Sequence, residues 1–388
     1  MFSLSRLFRR PHRPRPVMAH HPVIGLDIGS SAIKVAEIQR SGKQWQLLHS
    51  GLQPLAPEVV VDGQIKQPDQ VVQAIKELLS ANGITTRQAA ISLGGSSVIT
   101  KKIQMAALTE LELEDQIALE AEEYIPFDIE EVYLDFQILH QQEGSMEVLL
   151  TACKKEVVHS HAEVVRQAGL LPKICDLDLF CLLNAYSIFL QPARAVAPPT
   201  ATPQPASPPG GGSVLLANLG GHFLNIAIVS PQGLPGYIRD HSLGGRQLVQ
   251  EISSRHELSW AEAEQRLIMP DAGEQRHSEQ RLLLTETIHP FLEQLVQQIR
   301  QAVSFHKTGN PEQPVAEVYL SGGCALLPDA DSLLGEQLGL PVTIAAPFAN
   351  LTHRRARGKQ ESAQKALLTK MAPRFMVALG LALRGDYR

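Results

Sequence analysis

Short apolar runs alternate with amphipathic stretches along the chain, and their order predicts the architecture. VIGLDIGSSAIKVAEI, residues 23–38, reads as an apolar strand, a lone aspartate, a Gly-Ser turn and a second apolar strand. PDQVVQAIKELLSANG, residues 68–83, has apolar residues at helical spacing, Pro68 and Asp69 at its start and Gly83 past its end, so it predicts a helix. AAISLGGSSVITKKIQM predicts strands around a glycine turn. In LTELELEDQIALEAEEYIPF, Thr109 and Glu112 form a capping-box pair, which places a helix from about Glu110 to Tyr124, ending before Pro126. EVYLDFQILHQ and EVLLTACK predict two strands joined at Glu143 and Gly144, and KEVVHSHAEVVRQAGL a helix stopped by Gly169. Strand, helix, two strands and helix make a small α+β unit inserted at about 89–169.

That rhythm breaks at QPARAVAPPTATPQPASPPGGGS, residues 191–213, whose Pro, Ala and Gly content cannot build a core and reads as a linker. The expected division is a tail over 1–22, a first lobe over 23–190, the linker, and a second lobe over 214–388. The second lobe opens as the first does: VLLANLGGHFLNIAIV repeats strand, polar residue, glycine turn and strand. LGGRQLVQEISSRHELSWAEAEQRL and RLLLTETIHPFLEQLVQQIRQAVSFH are strongly helical in pattern, with Pro290 a local irregularity. AEVYLSGG predicts a strand leading through a turn to a helix around LPDADSLLGEQLG. NLTHRRARGKQESAQK reads as a loop, and APRFMVALGLALRG as a small-residue helix able to pack closely against a neighbour.

Composition narrows the function classes. With 388 residues, 44% hydrophobic and 19% charged, the chain has material for two lobes around a ligand cleft. A net charge of -5 gives no global attraction for nucleic acid. The four cysteines, Cys153, Cys175, Cys181 and Cys324, lack CxxC spacing, which fits a reduced cytosolic chain. No run approaches the roughly 18 apolar residues that span a bilayer. The tail MFSLSRLFRRPHRPRP lacks an uninterrupted apolar run and does not read as a secretory signal. It is either a disordered tail or, with Arg6, Arg9, Arg10, Arg13 and Arg15 beside Phe2, Leu4, Leu7 and Phe8, a segment drawn to anionic lipid. The 14 histidines, His159 and His161 among them, show no metal-ligand spacing and read as scattered surface residues.

A strand-turn-strand with glycine at the bend can present backbone N–H groups to phosphate oxygens. Neither a GxxxxGK[ST] loop nor a GxGxxG turn is present. Three such turns stand in order: GLDIGSS, NLGG and LSGGCALLPD. Together they resemble the actin-like ATPase superfamily. The runs EAEEYIPFDIEEVYLDFQIL, VIGLDIGSSAIKVAEI and the closing APRFMVALGLALR narrow this: from about Val23 to Gly385 the chain resembles the PilM family of type IV pilus assembly proteins.

The resemblance implies a two-lobed α/β fold, similar to that of FtsA, with a small α+β domain inserted in the first lobe. It implies ATP bound between the lobes, and Mg²⁺ held through water by Asp27. Gly29, Ser30 and Ser31 would contact phosphate, with Lys34 nearby; Asn218, Gly220 and Gly221 belong to the second hairpin, and Gly322, Gly323 and Ala325 to an adenosine turn. Asp178 would orient an attacking water, with Asp176 its control on the alternate face; Glu264 reads first as an exposed helical glutamate, with an approach to the nucleoside as its second reading. The implied partner is the cytoplasmic N-terminal peptide of PilN, bound in a groove beside the inserted domain, with PilO and PilP reached indirectly. This would place the protein at the cytoplasmic face of the inner membrane, anchored by PilN, with homo-oligomerisation open.

The residues themselves allow plainer readings. Asp27 also fits a turn-capping aspartate, Lys34 a solvent-facing strand lysine, and the late turn a ligand-free link. Tyr124, Ile125, Pro126 and Phe127 place apolar surface at a helix end, which either packs the inserted unit or borders a peptide groove. The second hairpin departs from the actin-like pattern: Asn218 stands where an aspartate is usual, and Phe223 and Leu224 supply no phosphate hydrogen bond, which argues against hydrolysis. Two other functions share the fold, a small-molecule kinase and an FtsA-like membrane-associated filament protein. The kinase needs a carboxylate base facing a hydroxyl, and the filament protein a terminal amphipathic anchor that MVALGLALRGDYR does not offer.

Overall fold

The structure is a computed structural model that describes residues 23–42, 44–190, 211–268, 284–353 and 369–385. The basic tail, the Pro-rich linker up to residue 210 and most of the loop expected after Asn350 lie outside the described residues.

The described chain forms two compact units. The first comprises 23–181 with 352–353 and 377–385; the second comprises 182–351 and 369–376 within the described ranges. The first-unit sheet is built on β1 (Val23–Ile28), β2 (Ala32–Ser41) and β3 (Gln44–Pro54), an antiparallel meander. β1 is buried throughout because both its faces are covered, which explains the unbroken apolar run around Asp27. After a two-strand hairpin of β4 (Val60–Val61) and β5 (Gln64–Ile65), α1 (Pro68–Ala81) buries Val71, Val72, Ile75, Leu78 and Leu79 on one face. β6 (Gln88–Leu93) then pairs parallel with β1.

The inserted unit is an antiparallel sheet of β7 (Val98–Ala106), β8 (Val132–Gln142) and β9 (Ser145–Lys154) in the order β7-β9-β8. Against it packs α2 (Glu110–Tyr124), whose Thr109–Glu112 capping box forms as expected. Leu113, Ile117 and Ala121 face the sheet residues Ile103, Val148 and Leu150 in a small separate core. Leu111 and Leu119 point outward from an otherwise acidic helix surface. The segment expected to be inserted, about 89–169, is wider than this sheet and helix. β6 belongs to the main sheet, and α3 (Lys155–Gln167) packs against α1 and the strand that follows, β10 (Leu171–Leu177). β10 pairs parallel with β6, and α4 (Asp178–Ala185) leads on from it.

The second unit repeats the first. β11 (Ser213–Leu219), β12 (Leu224–Val229) and β13 (Pro235–His241) form a second antiparallel meander. α5 (Gly245–His256) ends at Glu257, which takes a left-handed conformation, and α6 (Trp260–Ile268) starts from a Ser259–Glu262 capping pair. The stretch expected to be strongly helical thus holds two helices. α7 (His289–Gly309) carries Pro290 in its first turn and follows directly on a π-helical turn, Leu284–Ile288, so the irregularity expected at Pro290 is a change of helix type. Its residues Leu292, Leu295, Val296 and Ile299 are fully enclosed against the sheet. β14 (Val315–Ser321) pairs parallel with β11, and α8 (Ala330–Leu338) leads to β15 (Val342–Ile344).

Setting the first sheet, β10-β6-β1-β2-β3-β16, beside the second, β13-β12-β11-β14-β15, shows one topology used twice. Each has a central strand, two antiparallel neighbours on one side and two parallel neighbours on the other. This duplication is the two-lobed actin-like α/β fold that the glycine turns implied. β16 (Thr352–His353), which extends the first sheet, lies in the expected loop. After it, α9 (Met376–Ala382) falls largely within the first unit. Two glycines permit that packing: a methyl group on Gly25 would overlap the Ala378 carbonyl, and one on Gly380 the Cys181 carbonyl.

Candidate functional site

Parallel pairing of β1, β6 and β10 aligns their carboxyl ends, the edge of an open α/β sheet where ligands are usually received. Register sets Asp27 opposite Lys34 across the β1–β2 hairpin, and their side chains form an ion pair at 3.1 Å. Asp27 is 9% exposed, and this partner offsets the cost of burying its charge. The turn-capping and solvent-lysine readings both give way to this pairing. Gly29 closes the hairpin by donating its N–H to Ala32, and a Cβ there would lie 2.8 Å from Lys34 Nζ. The ammonium is thus held over a bare backbone turn, with Ser30 and Ser31 half-buried beside it.

Asp178 begins α4, where its Oδ1 accepts a 2.6 Å hydrogen bond from the Ser92 hydroxyl at the end of β6. Gly94 lets the next turn come close: a Cβ there would sit 2.5 Å from Asp178 Oδ2. Ser92 and Gly94 join the candidate residues only through the structure, although ISLGG carries the same signal of a strand followed by glycines. The neighbouring Asp176 is fully buried and pairs with Arg384. Buried Cys181 senses all of these groups. Burial pushes its thiol well above the ordinary range, Asp176, Asp178 and Asp27 push it further, and Arg384 opposes them.

In the second unit Asn218 belongs to a hydrogen-bonded ladder across four strands. Ser321 Oγ donates to Asn218 Oδ1 (3.1 Å), Asn218 Nδ2 to Asn225 Oδ1 (2.9 Å), and Asn225 Nδ2 to Asp240 Oδ1 (2.8 Å). The carboxylate at the end can only accept, so it fixes the orientation of both amides. Asn218 is therefore committed on both sides. The Gly220 N–H is committed to Phe223, while the carbonyls of Gly220 and Gly221 accept from Gly245 and Arg246 at the start of α5. Gly244, read only as the beginning of a helix, is what allows this: a Cβ there would lie 2.5 Å from the Gly221 oxygen.

The third turn follows β14. Gly322 adopts a φ of 90°, where a side chain would be strained, and donates its N–H to Pro373 (2.9 Å). Above Gly323 the space is open apart from Arg374. Ala325 is completely enclosed in the core of the second unit and offers no side-chain surface. Glu264 is half-buried on α6. At the end of α2, Ile125 is buried in the inserted unit's core, Tyr124 and Phe127 pack partly against it, and Pro126 is exposed. Lys154 lies 4.7 Å over the Phe127 ring. Among the described residues no group of three His, Cys, Asp or Glu side chains could hold a metal ion, and no helix is long and apolar enough to cross a membrane. His161 and His306, however, are buried, contrary to the expectation of surface histidines.

These residues fit a nucleotide better than a metal alone. Lys34 and the Ser30 and Ser31 hydroxyls suit phosphate oxygens, whereas Asp27 is a single carboxylate already paired with a cation. Mg²⁺ would be held by the phosphates and by water, as this ion commonly is, with Asp27 bonding to that water.

Residues 25–386 match the family model described as type IV pilus assembly protein PilM. The solved PilM-PilN type IV pilus biogenesis complex is similar at 27% identity and a TM-score of 0.77, over 95% of this chain and 99% of that one. Ethanolamine utilization protein EutJ from Carboxydothermus hydrogenoformans shares the fold at 16% identity and a TM-score of 0.53, over 96% and 91% of the two chains.

Proposed function

Because the chain belongs to the PilM family of type IV pilus assembly proteins, we propose that it is an adaptor that binds ATP and the cytoplasmic N-terminal peptide of PilN. The observation that carries this reading is the 27% identity, over nearly the whole of both chains, to a protein solved with PilN. Through PilN the adaptor meets PilO and PilP at the cytoplasmic face of the inner membrane, with PilN as its anchor. The peptide borders the inserted unit near Tyr124, Pro126 and Phe127, with Ile125 as the packed base beneath them.

ATP meets the first unit at Gly29, Ser30, Ser31 and Lys34, and Asp27 takes up the water shell of Mg²⁺. In the second unit the residues suited to nucleotide are the Gly220–Gly221 and Gly322–Gly323 turns. Asp178 is the group nearest in kind to one that orients a water, but its Oδ1 already accepts from Ser92. Asn218 brings no charge, and its Oδ1 and one of its two Nδ2 hydrogens are already taken. Turnover is therefore weak or absent, and ATP serves to fix the conformation that PilN recognises. Bound Mg²⁺ would neutralise phosphate charge.

Calorimetry with the purified full chain and a synthetic PilN N-terminal peptide, with and without Mg²⁺-ATP, tests the reading. Saturable peptide binding that tightens with nucleotide is expected. No peptide binding in either condition overturns the adaptor, and no heat with ATP overturns the nucleotide role.

A further inference from the structure

We propose that Arg374 is a phosphate-binding residue of the nucleotide site, reaching a ligand laid over the Gly322–Gly323 turn. The inference rests on the nucleotide reading above and adds to it a residue outside the three glycine turns.

Two arginines in the closing segment are shielded, and they differ. Arg384 has Asp176 as its counterion. Arg374 has none: its Nε is buried and has no hydrogen-bond acceptor among the described residues, and it takes part in no ion pair there. Leaving a guanidinium N–H shielded and unmet costs free energy, more for a charged group than for a neutral one. The residue as a whole is only half-buried, so the rest of its fork remains reachable from solvent.

Its position is fixed by neighbours rather than by a partner for its charge. Gly322 holds the backbone at Pro373 through its N–H, and Phe375 is buried against the Phe348 ring, 5.3 Å between centroids. A Cβ on Gly323 would find Arg374 Nε at 3.9 Å and nothing else within 4 Å. The surface there is bare backbone with a guanidinium at its rim. The nearby Cys324 thiol is not a competing anion, since burial pushes it up to about 12 despite the opposing pull of Arg374. A planar fork with an unmet N–H matches two oxygens of one phosphate, and a purine on the glycine turn would bring its 5′-phosphate alongside.

The test compares ATP with adenosine, by calorimetry, on the full chain and on Arg374→Gln and Arg374→Lys. Wild type should bind both ligands. Arg374→Gln should weaken ATP about tenfold or more and leave adenosine unchanged, as expected for a lost charge-assisted hydrogen bond. Arg374→Lys, which keeps the charge and most of the stem, should bind ATP at intermediate strength and serves if the Gln variant does not fold. Equal loss of ATP and adenosine would mean that Arg374 only packs the turn, and unchanged ATP binding in both variants would mean that it touches no phosphate. Either result overturns the assignment while leaving nucleotide binding standing. Failure of the wild type to bind ATP removes the nucleotide reading and this inference together.

Discussion

Asp176 and Arg384 form an ion pair at 3.0 Å with side chains 0% and 7% exposed, joining the end of β10 to the last described turn of the chain. Burial pushes the Asp176 carboxyl up, and Arg384 draws it back. Such a pair adds little net stability, but losing one member strands the other. Arg384→Met should cost about 3–5 kcal/mol at neutral pH. With no cation to offset burial, the folded carboxyl of the variant lies above its unfolded value. The penalty should then be small below about pH 4 and grow as pH rises. The double variant Asp176→Leu with Arg384→Met should recover most of the loss. Urea unfolding across pH measures all three; a single-variant cost under about 1 kcal/mol would contradict burial of the pair.

How much of this was written in the sequence depends on whether the cause is local. The Thr109–Glu112 box, the Gly83, Gly144 and Gly169 turns, and the repeated hairpins at Asp27 and Asn218 are local, and they appear as read. The Ser259–Glu262 cap, which starts α6, is equally local. Long-range pairings were not legible. Asp176 meets a residue over two hundred positions away, and Gly25 is small because Ala378 lies against it. His161 reads as a surface histidine until α3 is seen packed on α1.

Buried His161 should make stability depend on pH in mild acid. Burial lowers its folded pKa to about 4, against a weaker upward pull from its hydrogen bond to the Val157 carbonyl. The unfolded chain binds this proton below about 6.5 and the folded chain does not. Stability from this group is therefore present above about pH 6.5 and falls away as pH drops toward 4. At about 1.4 kcal/mol per unit the whole effect is about 3 kcal/mol. His161→Leu should flatten that part of the pH dependence in urea unfolding. An unchanged slope would show that the ring is not buried neutral.

The amide ladder predicts that restoring a carboxylate at Asn218 does harm. In Asn218→Asp an oxygen replaces the donor facing Asn225 Oδ1, and Asn225 cannot turn over without losing Asp240. One hydrogen bond is lost and a repulsion gained, a cost of about 1–3 kcal/mol in unfolding free energy. Replacing Asp240 as well, by Asp240→Asn, supplies a donor at the far end. Asn225 then reverses, and most of the loss should be recovered. Two losses that simply add would mean that the four side chains do not act as one network.

The Asp27–Lys34 pair predicts a change of sign with magnesium. Without Mg²⁺ the Asp27 carboxylate competes with phosphate for Lys34 at 3.1 Å and repels the incoming anion. Asp27→Asn should then bind ATP more tightly than wild type when a chelator is present. With Mg²⁺ the same carboxylate would, on the proposed reading, bond to the water shell of the ion, and its loss should weaken ATP. Lys34→Met removes the cation in both conditions and should weaken ATP in both, by about tenfold. Because Asp27 is nearly buried, the Lys34 variant should also lose stability, which thermal unfolding without nucleotide measures separately. Calorimetry of the two variants, each with Mg²⁺ and with chelator, gives four comparisons with wild type. If Asp27→Asn weakened ATP equally in both conditions, Asp27 would act by holding Lys34 in place, and its bond to the water shell of the ion would fall.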